Sequence, residues 1–232
     1  MYSKSIAIIT ARGGSKRIPK KNIKNFCGKP IIEYSIKAAL NSKIFDEVMV
    51  STDDLEIKEI ALQNGASVPF MRSDTTSNDF VMTHEVLIEV LEEYKKLGKK
   101  FNYMCCIYPT APFITSEKLK SAMDILISKG AETVLPIVPF SFPPQRAFIM
   151  DGDKAKFMYP ENMFVRSQDL PLMYHDCGQF YFLNIEKFCE QRKLILDNTI
   201  PIIVNELEAQ DIDNEDDWKI AEIKYLKMMD RF

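Results

Sequence analysis

One feature constrains this chain more than any other: the apolar run Ile6-Ala7-Ile8-Ile9, followed by Ala11-Arg12-Gly13-Gly14-Ser15-Lys16-Arg17-Ile18-Pro19-Lys20-Lys21-Asn22. A short β-branched run bounded by glycines predicts a buried strand. The loop after it carries Arg12, Lys16, Arg17, Lys20, Lys21, Lys24 and Lys29, and no acidic residue precedes Glu33. Glycines let backbone N–H groups approach an anion closely, and the cations supply compensating charge. A strand feeding such a loop predicts a nucleoside triphosphate site. Neither common phosphate loop is present, since G-x-x-x-x-G-K-[ST] and G-x-G-x-x-G are both missing.

Strand-like and helix-like segments alternate beyond this point. Residues 5–10, 47–51, 103–108, 133–138 and 178–183 read as strands. Helices are predicted over 31–40 with Pro30 at the first position, over 55–64 capped by Asp53 or Asp54, over 81–97, from Ser116 to Gly130, and over 218–229. The order predicts a single α/β domain of three layers, with helices on both faces of a mostly parallel sheet. Ligands of such sheets bind beyond the carboxyl ends of the strands, where the basic loop lies. Residues 139–176 break the pattern, being rich in proline and aromatics without helical periodicity. They read as a substrate flap, an oligomer contact or a satellite hairpin.

The 30 Lys and Arg against 33 Asp and Glu give a net charge of −3 over 232 residues. The basic residues are concentrated locally rather than in excess, which argues against general nucleic-acid binding. The five cysteines, Cys27, Cys105, Cys106, Cys177 and Cys189, form no C-x-x-C pair. Their odd number and irregular spacing predict reduced thiols in a cytoplasmic protein, with Cys105 and Cys106 packed in the core. The opening residues lack a secretory h-region, and no apolar run reaches the length of a membrane span.

Further segments complete a pattern. Gly28-Lys29-Pro30-Ile31-Ile32, Ser51-Thr52-Asp53-Asp54, Pro109-Thr110-Ala111-Pro112, Arg166-Ser167-Gln168-Asp169-Leu170-Pro171 with Gly178-Gln179-Phe180-Tyr181, and Asp211-Ile212-Asp213 follow the opening motif in order. Together they resemble the CMP-sugar synthetases, the cytidylyltransferases that activate sialic acid and related nonulosonic acids, and they span essentially the whole chain. The resemblance implies a nucleotide-diphospho-sugar transferase-like fold, Mg²⁺ as cofactor, and a homodimer contacting through an extension around residues 139–176.

The resemblance also assigns roles. Arg12, Ser15 and Lys21 fall on the phosphates, with Gly13 in the same loop; Arg12 can donate two directed bonds and Lys21 a point charge. For Lys16, Arg17, Lys20 and Lys24 a solvated basic rim is an equal alternative. The Ala11 backbone and Asn22 resemble the cytosine-reading positions, and Arg72 lies near the base. Asp211 and Asp213, two positions apart, project to one side of an extended segment and can hold Mg²⁺. The acids Glu215 to Asp217 instead suit a helix start. Arg166 matches the contact to the sugar carboxylate, while Tyr108, Gln179 and Tyr181 line the sugar pocket. Catalysis falls to Arg12, Lys21 and Asp211. His175-Asp176 does not serve one site as an acid–base pair on a strand, because neighbours there face opposite ways. Tyr108, Ala111, Cys177 and the polar segment Ser73–Phe80 depart from the sialic-acid pattern near the sugar. They look like the branch that activates pseudaminic acid; N-acetylneuraminate, legionaminate and KDO are rival sugars. A non-catalytic CTP-binding sensor is the rival of another class.

Overall fold

The computed structural model describes residues 4–229. Strand β1 (Ser5–Thr10) leads into the basic loop, the short ribbon β2 (Asn25–Phe26) and β3 (Lys29–Pro30), and helix α1 (Ile31–Ser42). There follow β4 (Glu47–Ser51), α2 (Leu55–Gln63), α3 (Thr83–Lys96), β5 (Tyr103–Ile107), α4 (Ser116–Ser128) and β6 (Thr133–Pro139). The excursion after β6 contains the hairpin β7 (Phe148–Asp151) and β8 (Lys154–Phe157), then β9 (Tyr174–Asp176). The chain returns through β10 (Phe180–Asn184), α5 (Ile185–Gln191), β11 (Thr199–Ile203) and α6 (Glu215–Met228).

The central sheet has the order β11-β6-β10-β5-β1-β4, with β9 also paired to β6. The expectation of a mostly parallel sheet is corrected here: the sheet is mixed. Strand β1 pairs in parallel with β4 and β5, and β11 with β6, but β10 runs antiparallel to both β5 and β6, and β9 antiparallel to β6. The cause is the excursion. Parallel neighbours need a long crossover, usually helical. The segment between β6 and β10 holds no helix longer than a 3₁₀ turn, so the chain turns back along β6. Gly178, at φ +59°, supplies the left-handed kink separating β9 from β10.

Alternation along the strands fills two cores. Ala7 and Ile9 of β1 face Ile32 and Ile36 of α1, Ile57 and Ala61 of α2, and Leu119 and Ala122 of α4. Ile6 and Ile8 face Leu87, Val90 and Tyr94 of α3 and Phe188 of α5. Helices therefore cover both faces, as a three-layer α/β fold requires. Cys105 and Cys106 are buried on opposite faces, as core packing predicts. Asp54 rather than Asp53 caps α2, accepting from the N–H groups of Glu56 and Ile57 at 2.8 and 3.0 Å. Pro30 sits one place before α1 rather than at its first position.

A third, smaller core sets the geometry of the site. Ile18 of the basic loop, Phe26, Phe113, Ile212 and Trp218 pack together, with Ile18 and Ile212 almost wholly buried. Burying a side chain of that size contributes roughly 1.5–3 kcal/mol. This cluster draws the Asp211–Asp213 loop against the basic loop, although the two lie at opposite ends of the sequence.

Candidate active site

From β1 the chain passes to β4 on one side and then to β5 on the other, so the strand order reverses beside β1. Crevices at such switch points are the usual ligand sites of open α/β sheets. Here the crevice is a cavity of about 660 Å³, lined by Thr10 and Arg12 after β1, by Ser15, Lys16, Arg17, Lys21 and Asn22, and by Tyr108, Pro109 and Thr110 after β5. Arg72 and the segment Thr76–Thr83 form the opposite wall.

Hydrogen bonds from the Ser51–Asp54 turn hold the basic loop. Gly13 N–H donates to Asp53 at 2.9 Å, and Ala11 N–H donates to the Ser51 carbonyl at 2.9 Å. A Cβ on Gly13 would lie 2.7 Å from the Asp54 carboxylate, so only glycine fits this approach; Gly14 faces open space. Arg72 is buried and donates to the Ser51 carbonyl at 2.6 Å and to its hydroxyl at 3.0 Å. Burial pushes its guanidinium below the ordinary value, against the pull of Asp53 and Glu89. Asn22 is buried and donates its amide to the Arg12 carbonyl at 2.8 Å, which fixes the orientation of its side chain.

The two ends of the chain meet at Lys21. Its ammonium donates to the Ile212 carbonyl at 2.7 Å and lies 3.7 Å from Asp213, while Arg17 pairs with Asp213 at 2.7 Å. Burial lowers the Lys21 ammonium's pKa and the charges of Asp213 and Asp211 oppose it. Asp211 is pushed up, by burial first and by Asp213 second, with Lys21 pulling the other way. Asp211 opens onto a neighbouring cavity of about 340 Å³ shared with His175, Asp176, Cys177 and Lys224. Among the described residues no three His, Cys, Asp or Glu side chains form a metal cage. The donor set of Asp211 and Asp213 nonetheless fits a hard cation that keeps waters and borrows phosphate oxygens, which is how Mg²⁺ is usually held.

The residues expected at the sugar divide. Tyr108 lines the larger cavity, its hydroxyl 3.4 Å from that of Thr83. Tyr181 stands behind it, ring centroids 5.7 Å apart, and donates its hydroxyl to Asp176, which also accepts Gly178 N–H at 2.8 Å. Burial, the neighbouring Tyr108 and Asp176 together hold the Tyr181 hydroxyl protonated. Gln179 is 1 % exposed and lines neither cavity; its amide donates to the Glu208 carbonyl at 2.5 Å. The structure thus gives Gln179 a supporting place behind the wall: it sits in the bend just before β10, and its side chain falls on the Glu208 loop. Arg166 also lines neither cavity; it stands on the exposed excursion, bound to Asp169 at 2.6 Å. Sequence reasoning did not find Lys118, whose ammonium bonds Phe113's carbonyl at 3.1 Å and Glu208 at 2.9 Å and ties α4 to the acidic loop. An isolated lysine on a helix carries no signal of such a partner.

A family profile described as cytidylyltransferase matches residues 6–198. The chain belongs to the cytidylyltransferase family. It is a CTP-dependent nucleotidyltransferase. It is 39% identical over 223 residues to the pseudaminic acid cytidylyltransferase of Campylobacter jejuni subsp. jejuni serotype O:2, covering 96% of each chain. It is 31% identical over 220 residues to the CMP-N,N'-diacetyllegionaminic acid synthase of Legionella pneumophila subsp. pneumophila, covering 94% of each. Among solved structures it resembles a CMP:2-keto-3-deoxy-manno-octonic acid synthetase complexed with CTP, with a TM-score of 0.69 and 17% identity over 98% of this chain and 100% of that one. At that identity the likeness speaks to the fold. Among the described residues of this cytidylyltransferase, no helix is long and apolar enough to cross a membrane.

Proposed function

We propose that this cytidylyltransferase transfers CMP from CTP to the anomeric hydroxyl of a nonulosonic acid, with pseudaminic acid as the sugar, and releases pyrophosphate. The observation that carries this is the convergence of Arg12, Ser15, Lys16 and Lys21 with the Asp211–Asp213 loop at the ends of β1 and β5. Nucleotidyl transfer requires charge neutralisation on the triphosphate and an aligned attacking hydroxyl. Arg12 and Lys21 supply positive charge, and Ser15 and its loop supply donors. The smaller cavity beside Asp211 has room for the sugar next to the α-phosphate. Asp211 and Asp213 would hold Mg²⁺, which polarises phosphate and lowers the pKa of a bound hydroxyl. Support for the sugar comes from the 39% identity to the pseudaminic acid enzyme against 31% to the legionaminic acid enzyme.

Base choice falls to Asn22. One of its two amide N–H groups is held by the Arg12 carbonyl, which fixes the side chain and leaves its oxygen as an acceptor for a base in the cavity. Cytosine presents an exocyclic amine where uracil presents a carbonyl, so an acceptor selects cytosine. CTP should support pyrophosphate release far faster than UTP at equal concentration and saturating sugar. Equal rates would remove the reading role of Asn22.

A homodimer accounts for the excursion. It leaves Phe142 and Phe164 87% and 94% exposed, and Met150 and Leu172 at 69% and 76%. Apolar groups exposed this fully on one segment mark an interaction surface. Assembly would also bring Arg166, which lines neither of these cavities of its own chain, to the carboxylate of a sugar bound by the partner. Sedimentation should therefore give a dimer. Arg166→Ala should raise the sugar's KM and leave CTP binding unchanged. A monomer, or a weakened CTP affinity in Arg166→Ala, would contradict this arrangement.

A further inference from the structure

The segment facing the basic loop carries its own anion. Arg12 Nη1 donates to Asp79 Oδ1 at 2.7 Å, and the Lys16 ammonium pairs with Asp79 Oδ2. Each carboxylate oxygen thus holds a different cation of the phosphate loop. Asp79 and its neighbours Thr76, Asn78 and Val81 line the 660 Å³ cavity together with Ser15, Lys16 and Lys21. Two oxygens on one centre, each bound to a separate cation, is also the pattern a phosphate group presents to such a loop.

We infer that Asp79 is an internal counter-anion of the triphosphate site, holding Arg12 and Lys16 in the resting enzyme and yielding them to the phosphates of the incoming nucleotide. The inference rests on the cytidylyltransferase reading of this cavity. The segment is built to give way at this point. Its base is fixed, with Ser73 N–H on Glu89 at 2.8 Å and Ser77 Oγ on the Ser73 carbonyl at 2.7 Å. Its tip is free of the core: Phe80, next to Asp79, is 92% exposed. The ion pairs are themselves partly solvated, with Arg12 and Asp79 side chains 37% and 33% exposed, so little free energy opposes their exchange.

Competition with a built-in carboxylate makes the site discriminate by charge. A triphosphate brings several anionic oxygens and displaces Asp79; a nucleoside monophosphate brings fewer and competes less well. The same contest favours product release. Once the pyrophosphate has left with the β- and γ-phosphate charges, the CMP-sugar offers one phosphodiester charge, which cannot hold Arg12 and Lys16 against Asp79.

Titration calorimetry tests this with wild type, Asp79→Asn and Asp79→Ala, using CTP, CMP and inorganic tripolyphosphate as probes at low and high salt. The isosteric Asp79→Asn removes the charge and keeps the shape. It should bind CTP and tripolyphosphate about three- to tenfold more tightly at low salt, the range expected for a partly exposed ion pair. The gain should shrink at high salt and be smaller for CMP. Asp79→Ala should follow Asp79→Asn, and the melting temperatures of both should stay near that of wild type. Unchanged or weaker tripolyphosphate and CTP binding in both variants overturns the inference. A wild type that binds tripolyphosphate with the expected Asp79 effect but never binds CTP overturns the nucleotide reading and upholds the counter-anion.

Discussion

Replacing Asp211 or Asp213 with alanine should lower turnover by about a hundredfold or more, the order expected when an electrostatic stabiliser of the transition state is lost. The fold should survive. Neither carboxylate is part of the buried core, whereas Ile212 between them is 1% exposed and packed on Ile18, Phe26 and Trp218. The three positions therefore separate function from stability. Asp211 is held above its ordinary pKa, so its ionised form is less favoured in the folded chain than in the unfolded one. A group of that kind subtracts from stability at pH values above its folded pKa, and the deficit disappears as pH falls below the unfolded value. Asp211→Asn should accordingly melt no lower than wild type at pH 7 despite its lost turnover. Ile212→Ala should instead cost roughly 2–5 kcal/mol of stability. Near-normal turnover in Asp211→Ala or Asp213→Ala at saturating Mg²⁺ would remove that residue from the site.

Lys21→Met should be nearly as damaging. The substitution keeps an apolar stem and deletes the ammonium that bonds the Ile212 carbonyl and faces Asp213. It removes positive charge from the triphosphate cavity and leaves Asp211 and Asp213 to repel each other, with Arg17 still paired to Asp213. We expect kcat/KM to fall about a hundredfold or more, with most of the loss in kcat. Lys21→Arg should rescue little, since a planar fork cannot place a single ammonium on one carbonyl within this confined corner. A Lys21→Met enzyme within about threefold of wild type would show that the lysine only anchors the loop; the threefold margin is well below a lost transition-state contact.

The part of this molecule legible in the sequence was the part governed by local rules. Ile6–Ile9 is buried because a β-branched run between polar flanks has few other fates. A cap of α2 at Asp53 or Asp54 follows from Asx residues preceding an amphipathic stretch, and the fold selects Asp54. The cavity residues Arg12, Ser15, Lys21 and Asn22 are read from the opening motif, and Arg72 and Tyr108 from their places in the family pattern; all six line one crevice. What the sequence hid was non-local. The antiparallel return of β10 depends on how the excursion 139–176 folds back, and no periodicity encodes that. Helix α5 and strand β11 are short and carry no strong pattern. Gln179 belongs behind the wall because the bend before β10 sets it against the carbonyl of Glu208, a contact outside its local sequence. Asp79 looked like one acid in a polar segment; only the fold sets it against Arg12 and Lys16. The approach of the Asp211–Asp213 loop to Lys21 depends on Ile18 and Ile212 sharing a core, which neither residue announces.

Product analysis bears most directly on the proposed reaction. Purified enzyme with CTP and Mg²⁺ is offered pseudaminic acid, legionaminic acid, N-acetylneuraminic acid and KDO in separate reactions, with pyrophosphate release and the mass of the CMP-sugar both recorded. Pseudaminic acid should give the CMP-sugar and stoichiometric pyrophosphate with the highest kcat/KM of the four. Preference for another of the four would move the sugar assignment while leaving the reaction intact; CTP binding with no CMP-sugar from any of them would contradict the reaction itself.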